Sequence, residues 1–319
     1  MTKYPIQSRR RHLRDILALG AMLPIAPHLL FEQNTFALAS IPRDIHIFSK
    51  HLHWLDYPSM AKTVAKIGFD GVDLTVRPKG HVLPQRVSED LPKAVEAIRK
   101  AGLKAQLITT AITSVKEPDT ETILKTASKQ GIKIYRMGWL NYLPGIPIPD
   151  QLEVFKKQLG ELVEMNKYYG IQAAYQNHAG THVGSSLWDI WYLIKDFDPT
   201  YLGVQFDIRH AMVESQSAWA VGLKLLSPYI NSLDIKDFVW SNIENKTVVE
   251  NVPLGKGIVD FESYFSQLEN LNLQAPLCLH LEYPLGGADE GEHNLSIPPA
   301  QVTAAMKTDL QYLKKKLNK

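Results

Sequence analysis

The chain has 319 residues, 45% hydrophobic and 21% charged, a globular balance that excludes a disordered or collagen-like polymer. Its 35 Lys and Arg against 33 Asp and Glu leave a net charge of +2, which gives no basic footprint for a nucleic-acid partner. The single cysteine, Cys278, excludes an internal disulfide in any compartment.

The first forty residues read as an address. Ser8, Arg9, Arg10, Arg11, His12, Leu13 and Arg14 resemble a twin-arginine export signal, with His12 where an aromatic is more usual. The apolar segment from Ile16 to Phe31 carries Gly20, Pro24 and Pro27 and is short for a bilayer span, so it reads as a signal h-region and no stable membrane anchor is expected. Ala37-Leu38-Ala39 is a small-x-small cleavage site. A signal over 1–39, the twin-arginine export machinery as a partner and a periplasmic or otherwise exported product follow as expectations. Exported material should begin near Ser40, which N-terminal sequencing checks, and Arg9→Lys with Arg10→Lys should trap precursor inside.

From Ile45 a unit recurs: a short apolar strand, a polar loop, an amphipathic helix and a glycine. Gly68, Gly102, Gly131 and Gly170 each precede a strand, where a helix C-terminus favours a residue tolerant of positive φ. Asp150, with Glu153 three residues on, predicts a capped start for the helix VFKKQLGELVEMNKYYG. Eight strands are predicted, at 44–49, 71–76, 104–109, 132–137, 171–177, 202–207, 230–236 and 277–283. Their alternation with helices predicts an α/β fold, a single-domain (βα)8 TIM barrel over 40–319, whose chemistry sits in the loops after the strands.

Polar side chains collect at those strand ends. Lys50, His51, His53 and Trp54 follow the first strand, and Asp73, Thr75, Arg77 and His81 belong to the second. Arg136 and Trp139 mark the fourth; Gln176, Asn177 and His178 the fifth; Asp207, Arg209 and His210 the sixth. Asp234, Lys236 and Asp237 mark the seventh, His280 and Glu282 the eighth. A lone polar residue here caps a strand, and a lone Lys or Arg is a solvated rim residue, but their recurrence on successive strands points to a site. Trp54, Trp139 and Trp240 are core aromatics or sugar-stacking faces, and Cys278 reads as a buried structural thiol. In VPLGKGIVDF, Gly255 and Gly257 bracket Lys256, but the spacing matches neither phosphate-loop fingerprint, so the segment reads as a turn before the helix DFESYFSQLENL.

YQNHAG at strand five, DIRH at strand six, SLDIKDF at strand seven, GKGIVDF after it and HLEYPLGG at strand eight make residues 43–315 resemble the xylose isomerase-like barrels. This sugar isomerase and epimerase superfamily includes D-tagatose 3-epimerase and inosose dehydratase. The resemblance implies one divalent metal held by Glu, Asp, His and Glu from strands five to eight, which fall here on Gln176, Asp207, Asp234 and Glu282. Gln176 stands where Glu is usual and Asp234 where His is usual, so the implied shell is all oxygen, suited to Mn²⁺ or Mg²⁺, with Ca²⁺ as a further hard cation. His178 or His210 could add a nitrogen.

The resemblance further implies a non-phosphorylated sugar or keto-sugar substrate and an enediolate formed by removing the proton α to a carbonyl. Glu282, His210 and Lys236 are the expected catalytic groups, and Lys50, His51, Trp54, Arg136, Asn177, His178, Arg209 and His280 the expected substrate contacts. With only Glu282 left of the two acidic bases, a lyase or hydratase step is expected ahead of symmetric epimerisation. The alternatives are a catalytically silent sugar-binding barrel and an endonuclease IV-like metal nuclease, the latter opposed by the near-neutral charge. A homo-oligomer is compatible with either enzymatic reading.

Overall fold

The structure, a computed structural model, describes residues 43–317. The expected export signal lies outside them. Among the described residues no helix is long and apolar enough to cross a membrane. The eight predicted strands form, as β1 (Ile45–Phe48), β2 (Gly71–Thr75), β3 (Lys104–Thr109), β4 (Ile134–Arg136), β5 (Gln172–Gln176), β6 (Leu202–Asp207), β7 (Ile230–Ile235) and, after the hairpin strands β8 (Asp237–Ile243) and β9 (Lys246–Val252), β10 (Leu277–Leu279). All but β8 and β9 close into one parallel barrel in the order β1-β10-β7-β6-β5-β4-β3-β2.

Helices pack outside it: α1 (Tyr57–Ile67), α2 (Val87–Lys100), α3 (Thr120–Lys129), α4 (Ile148–Tyr169), α5 (Leu187–Ile194), α6 (Ile208–Ser215), α7 (Trp219–Leu226), α8 (Phe261–Asn270) and α9 (Pro299–Lys316). Gly68 and Gly170 end α1 and α4 in the left-handed conformation, with φ of 103° and 63°, as their positions before strands predict. One start differs from expectation. The helix at 150 begins at Ile148 behind Pro147, without a side-chain cap, and Asp150 sits in its first turn. Pro149 in that turn has no N–H to satisfy, so the prolines set the boundary, and Glu153 instead accepts the Tyr192 hydroxyl.

The segment 237–252 reads as connection in the sequence but folds as the antiparallel hairpin β8–β9. Its tip, Glu244 and Asn245, has φ of 50° and 62°, the two-residue geometry whose twist matches paired strands. The last barrel strand is shorter than predicted. It stops at Leu279 because the Leu281 N–H is taken by His51 Nε2 at 2.9 Å and no longer by a neighbouring strand.

Successive strand residues alternate between the helix-facing core and the barrel interior. Ile45, Ile47, Val72, Leu74, Val204, Phe206, Leu233 and Ile235 belong to the continuous apolar core. The residues between them include His46, Asp73, Gln205, Asp207, Asp234 and His280, all buried. A barrel interior usually filled by branched apolar side chains is here strongly polar, which marks it for chemistry.

On the helical layer, α9 carries a buried carboxyl. Asp309 accepts the Tyr283 hydroxyl at 2.9 Å, and burial, only partly offset by that bond, lifts its pKa to about 6. An acid whose folded pKa is raised favours the protonated fold, so its cost is absent below the unfolded value of about 4 and complete above about 6. Asp309→Asn should therefore change in stability relative to the parent by about 2 kcal/mol in its favour between pH 4 and pH 7, measured by denaturant unfolding. A pH-independent difference would refute the assignment.

Candidate active site

Period-two spacing aims Gln205 and Asp207, Asp234 and Lys236, and His280 and Glu282 to the same side of their strands. Asp207 and Asp234 are direct partners across β6 and β7, so two carboxylates meet at the C-terminal end of the barrel. The Lys236 ammonium answers them. Its Nζ lies 2.9 Å from Asp207 Oδ2, 3.0 Å from Glu282 Oε2 and 3.2 Å from His210 Nε2. Burial would lower the Lys236 pKa, but Asp207, Glu282 and Asp234 outweigh it and raise it, so the lysine stays charged. Burial would likewise raise Glu282; Lys236, the nearby His280 ring and Lys50 hold it well below the usual carboxylate range.

Gln176 ties the acids together. Its amide donates to Asp207 Oδ2 at 3.0 Å and Asp234 Oδ2 at 2.5 Å, and its carbonyl accepts from Arg136 Nη1 at 2.8 Å. Gln205 donates to Asp234 Oδ1 at 2.6 Å. This contact was missed from the sequence, although Gln205 stands two residues before Asp207 on one face. Asp207 also accepts the His210 N–H at 3.1 Å, capping α6.

His280 lies 3.3 Å from Asp234 Oδ1 and 3.6 Å from Glu282 Oε1. Burial lowers its pKa, but Asp234 more than compensates and the net shift is upward. His210 behaves oppositely: Arg209 Nη1 sits 2.9 Å from its Nδ1, and burial, Lys236, His178 and Arg209 keep the ring neutral. His178 tilts against His210 at 4.0 Å and Trp139 at 4.5 Å, its pKa brought to about 4 mainly by burial and then by Lys236. Toward the opening, Lys50 reaches Glu282 Oε1 at 3.2 Å.

Several expected substrate contacts are committed to the fold. His51 receives the Leu281 N–H on Nε2, so its proton sits on Nδ1 and goes to the Ala288 carbonyl at 3.1 Å. Asn177 brackets the backbone of Asp207, accepting its N–H at 2.8 Å and donating to its carbonyl at 2.9 Å. Trp54 donates to the His51 carbonyl, and Arg209 donates to Asn251 on β9. The glycines around Lys256 serve Asp237. Its carboxylate accepts the N–H groups of Phe238, Gly255, Gly257 and Val259, and a Cβ on Gly257 would come within 2.1 Å of Asp237 Oδ1. The loop is thus a turn, as its spacing predicts, wrapped on its own anion.

A divalent ion among Gln176, Asp207, Asp234 and Glu282 needs four oxygens turned to one point. Gln176 instead shows its NH₂ to two of the acids, and Lys236 bridges Asp207 and Glu282. The quartet comes together, but as built it does not fit a divalent cation. Metal-type ligand atoms also gather at Asp73, Cys278 and His280, within 4.8 Å of one another, a grouping that could hold an ion. There the Cys278 thiol donates to Asp73 at 3.5 Å and is pushed well up by burial and then by Asp73, so an ion would have to displace its proton.

The fold recurs in solved structures. A 3-keto-D-glucoside 4-epimerase, YcjR, from E. coli is 16% identical with a TM-score of 0.63, covering 86% of this chain and 100% of its own. D-psicose 3-epimerase from Clostridium cellulolyticum H10, solved with D-tagatose, is 13% identical with a TM-score of 0.65, covering 86% and 99%. AsbF of Bacillus anthracis, a probable 3-DHS dehydratase, is 13% identical with a TM-score of 0.64, covering 85% and 98%. No curated protein matches by sequence. The family model described as xylose isomerase-like TIM barrel matches residues 61–316, and the chain belongs to that family.

Proposed function

We propose that the chain is a carbohydrate-converting enzyme of the isomerase, epimerase or lyase kind, acting on a sugar or keto-sugar through an enediolate. The observation that carries it is the group of Glu282, Lys236 and Lys50 at the C-terminal end of the barrel, a carboxylate held ionised between two ammonium groups. The structural neighbours, two sugar epimerases and a probable dehydratase, are consistent with it.

In this reading Glu282 takes the proton α to the substrate carbonyl, the electron pair of that C–H bond becomes a C=C bond, and the π pair of the carbonyl moves onto its oxygen. Lys50 meets the developing charge. An ammonium has three donors, and Lys50 spends one on Glu282 while Lys236 has three contacts within the chain. The enediolate then regains a proton at the neighbouring carbon or expels a β-hydroxyl. Gln176 cannot exchange protons near neutral pH, and it faces acids instead of substrate, so a one-sided step, loss or addition of water next to a ketone, is favoured over two-base epimerisation.

The test offers 3-keto-glycosides, the corresponding unsaturated keto-sugars and free ketohexoses in deuterated water. Interconversion of the first two supports the lyase reading; C3 epimerisation of ketohexoses with deuterium uptake, and no action on the unsaturated sugar, refutes it. Binding without exchange into any substrate would point to the silent sugar-binding barrel, which the full in-chain pairing of Asp207 favours.

A further inference from the structure

Three cations surround the ring of Phe48, the last residue of β1, whose one neighbour in stacking geometry is His280 at 4.3 Å. Lys50 Nζ lies 5.9 Å from the ring centre, Arg77 Cζ 5.4 Å and Arg136 Cζ 5.8 Å, with Arg136 also 4.9 Å from the Trp139 ring. Lys50 is paired with Glu282. The guanidiniums are not: among the described residues neither has an ion pair, Arg136 gives a single hydrogen bond, to the neutral Gln176, and its buried Nε has no partner. Arg136 is only 5% exposed. Asp73, which acts on both at longer range, turns its oxygens to Thr109 and Cys278. Burial and then Arg136 lower the Arg77 pKa to about 10.

Two largely desolvated guanidiniums over one ring, with open donors, call for an anion, and a planar fork matches the two oxygens of a carboxylate. A phosphoryl group matches the same fork but is commonly cradled by backbone N–H groups as well, and the glycine loop that would give them is closed on Asp237. We infer that Arg77 and Arg136 form an anion subsite and that the substrate is a sugar acid, its carboxylate seated on this pair. The inference deepens the proposed function and rests on the same site.

The test is calorimetric titration of the full chain with three ketoses that differ at C6 alone: D-fructose, D-fructuronate and D-fructose 6-phosphate. D-fructuronate should bind at least about tenfold more tightly than D-fructose, the ratio should fall toward one in Arg77→Met, and Arg77→Lys should recover part of it. Unfolding midpoints of both variants confirm that they fold. Equal affinities, a ratio unchanged in Arg77→Met, no binding at all, or strongest binding of the phosphate ester each overturn the assignment. Selective binding of D-fructuronate without hydrogen exchange keeps the subsite and removes the enzymatic reading. Exchange on D-fructose with no preference for the acid does the reverse.

Discussion

Lys236→Met should destabilise the protein by about 3–5 kcal/mol in metal-free buffer, because it keeps the length of the side chain but strips a buried cation from between two carboxylates. Asp207 would then retain the Gln176 amide and the His210 N–H, neither of which carries compensating charge. The variant should also acquire a metal site at this quartet. With the ammonium gone, Asp207, Asp234 and Glu282 become a site for a hard divalent ion, and Mn²⁺ should raise the unfolding midpoint of Lys236→Met while leaving that of the parent unchanged. Thermal unfolding in EDTA and in Mn²⁺, with metal content by mass spectrometry, reads both effects. Stoichiometric metal in the purified parent that is lost in Asp207→Asn and kept in Cys278→Ala would show that Lys236 swings aside and that the family-type ligand set is real here.

Glu282→Gln should slow hydrogen exchange from the substrate α-carbon by about 10²–10⁴-fold, the usual contribution of a positioned base. The amide is isosteric and keeps one acceptor oxygen for Lys50 or Lys236 while its NH₂ faces the other, so substrate affinity should change less than turnover. A parallel Lys50→Met variant should lose rate without losing the bound geometry of Glu282, which Lys236 still holds from the other oxygen. If Glu282→Gln exchanges protons at the parental rate, the base is elsewhere, and neutral His178 or His210 is the next group to remove.

Much of the architecture can be read from local pattern. Short apolar runs, four of them preceded by a glycine that ends the helix before, specify a strand and its helix without reference to anything distant, and all eight barrel strands lie where those runs predict. The gathering of Gln176, Asp207, Asp234 and Glu282 is also legible, because period-two spacing and a common strand end bring them together. What is not legible is the charge balance among them. A lysine at a strand end reads as a solvated rim residue, and only closure of the barrel puts Lys236 against acids from two other strands. His51 and Asn177 look like ligands in sequence for the same reason, and their partners, Leu281, Ala288 and the backbone of Asp207, are supplied by other segments. The hairpin is different: β-forming residues stand on both sides of Glu244 and Asn245, but DFVWSNI and KTVVENV do not alternate, and neither tip residue is the glycine that usually announces such a turn.

Closure of the barrel also dictates an order of events. β1 pairs on one side with β2 but on the other with β10, Ile45 lying opposite Leu277, and Arg43 donates to the Leu273 carbonyl at 2.7 Å. Until the C-terminal fifth of the chain has been synthesised, β1 and β7 are open sheet edges, of the kind that recruit other chains. The seam joins residues at opposite ends of the sequence, a loop closure that is slow and comes late. A nascent chain that has not yet formed β10 therefore carries two exposed edges, and the polar centre, which draws Lys50 from one side of that seam and Glu282 from the other, is assembled only once that seam has closed.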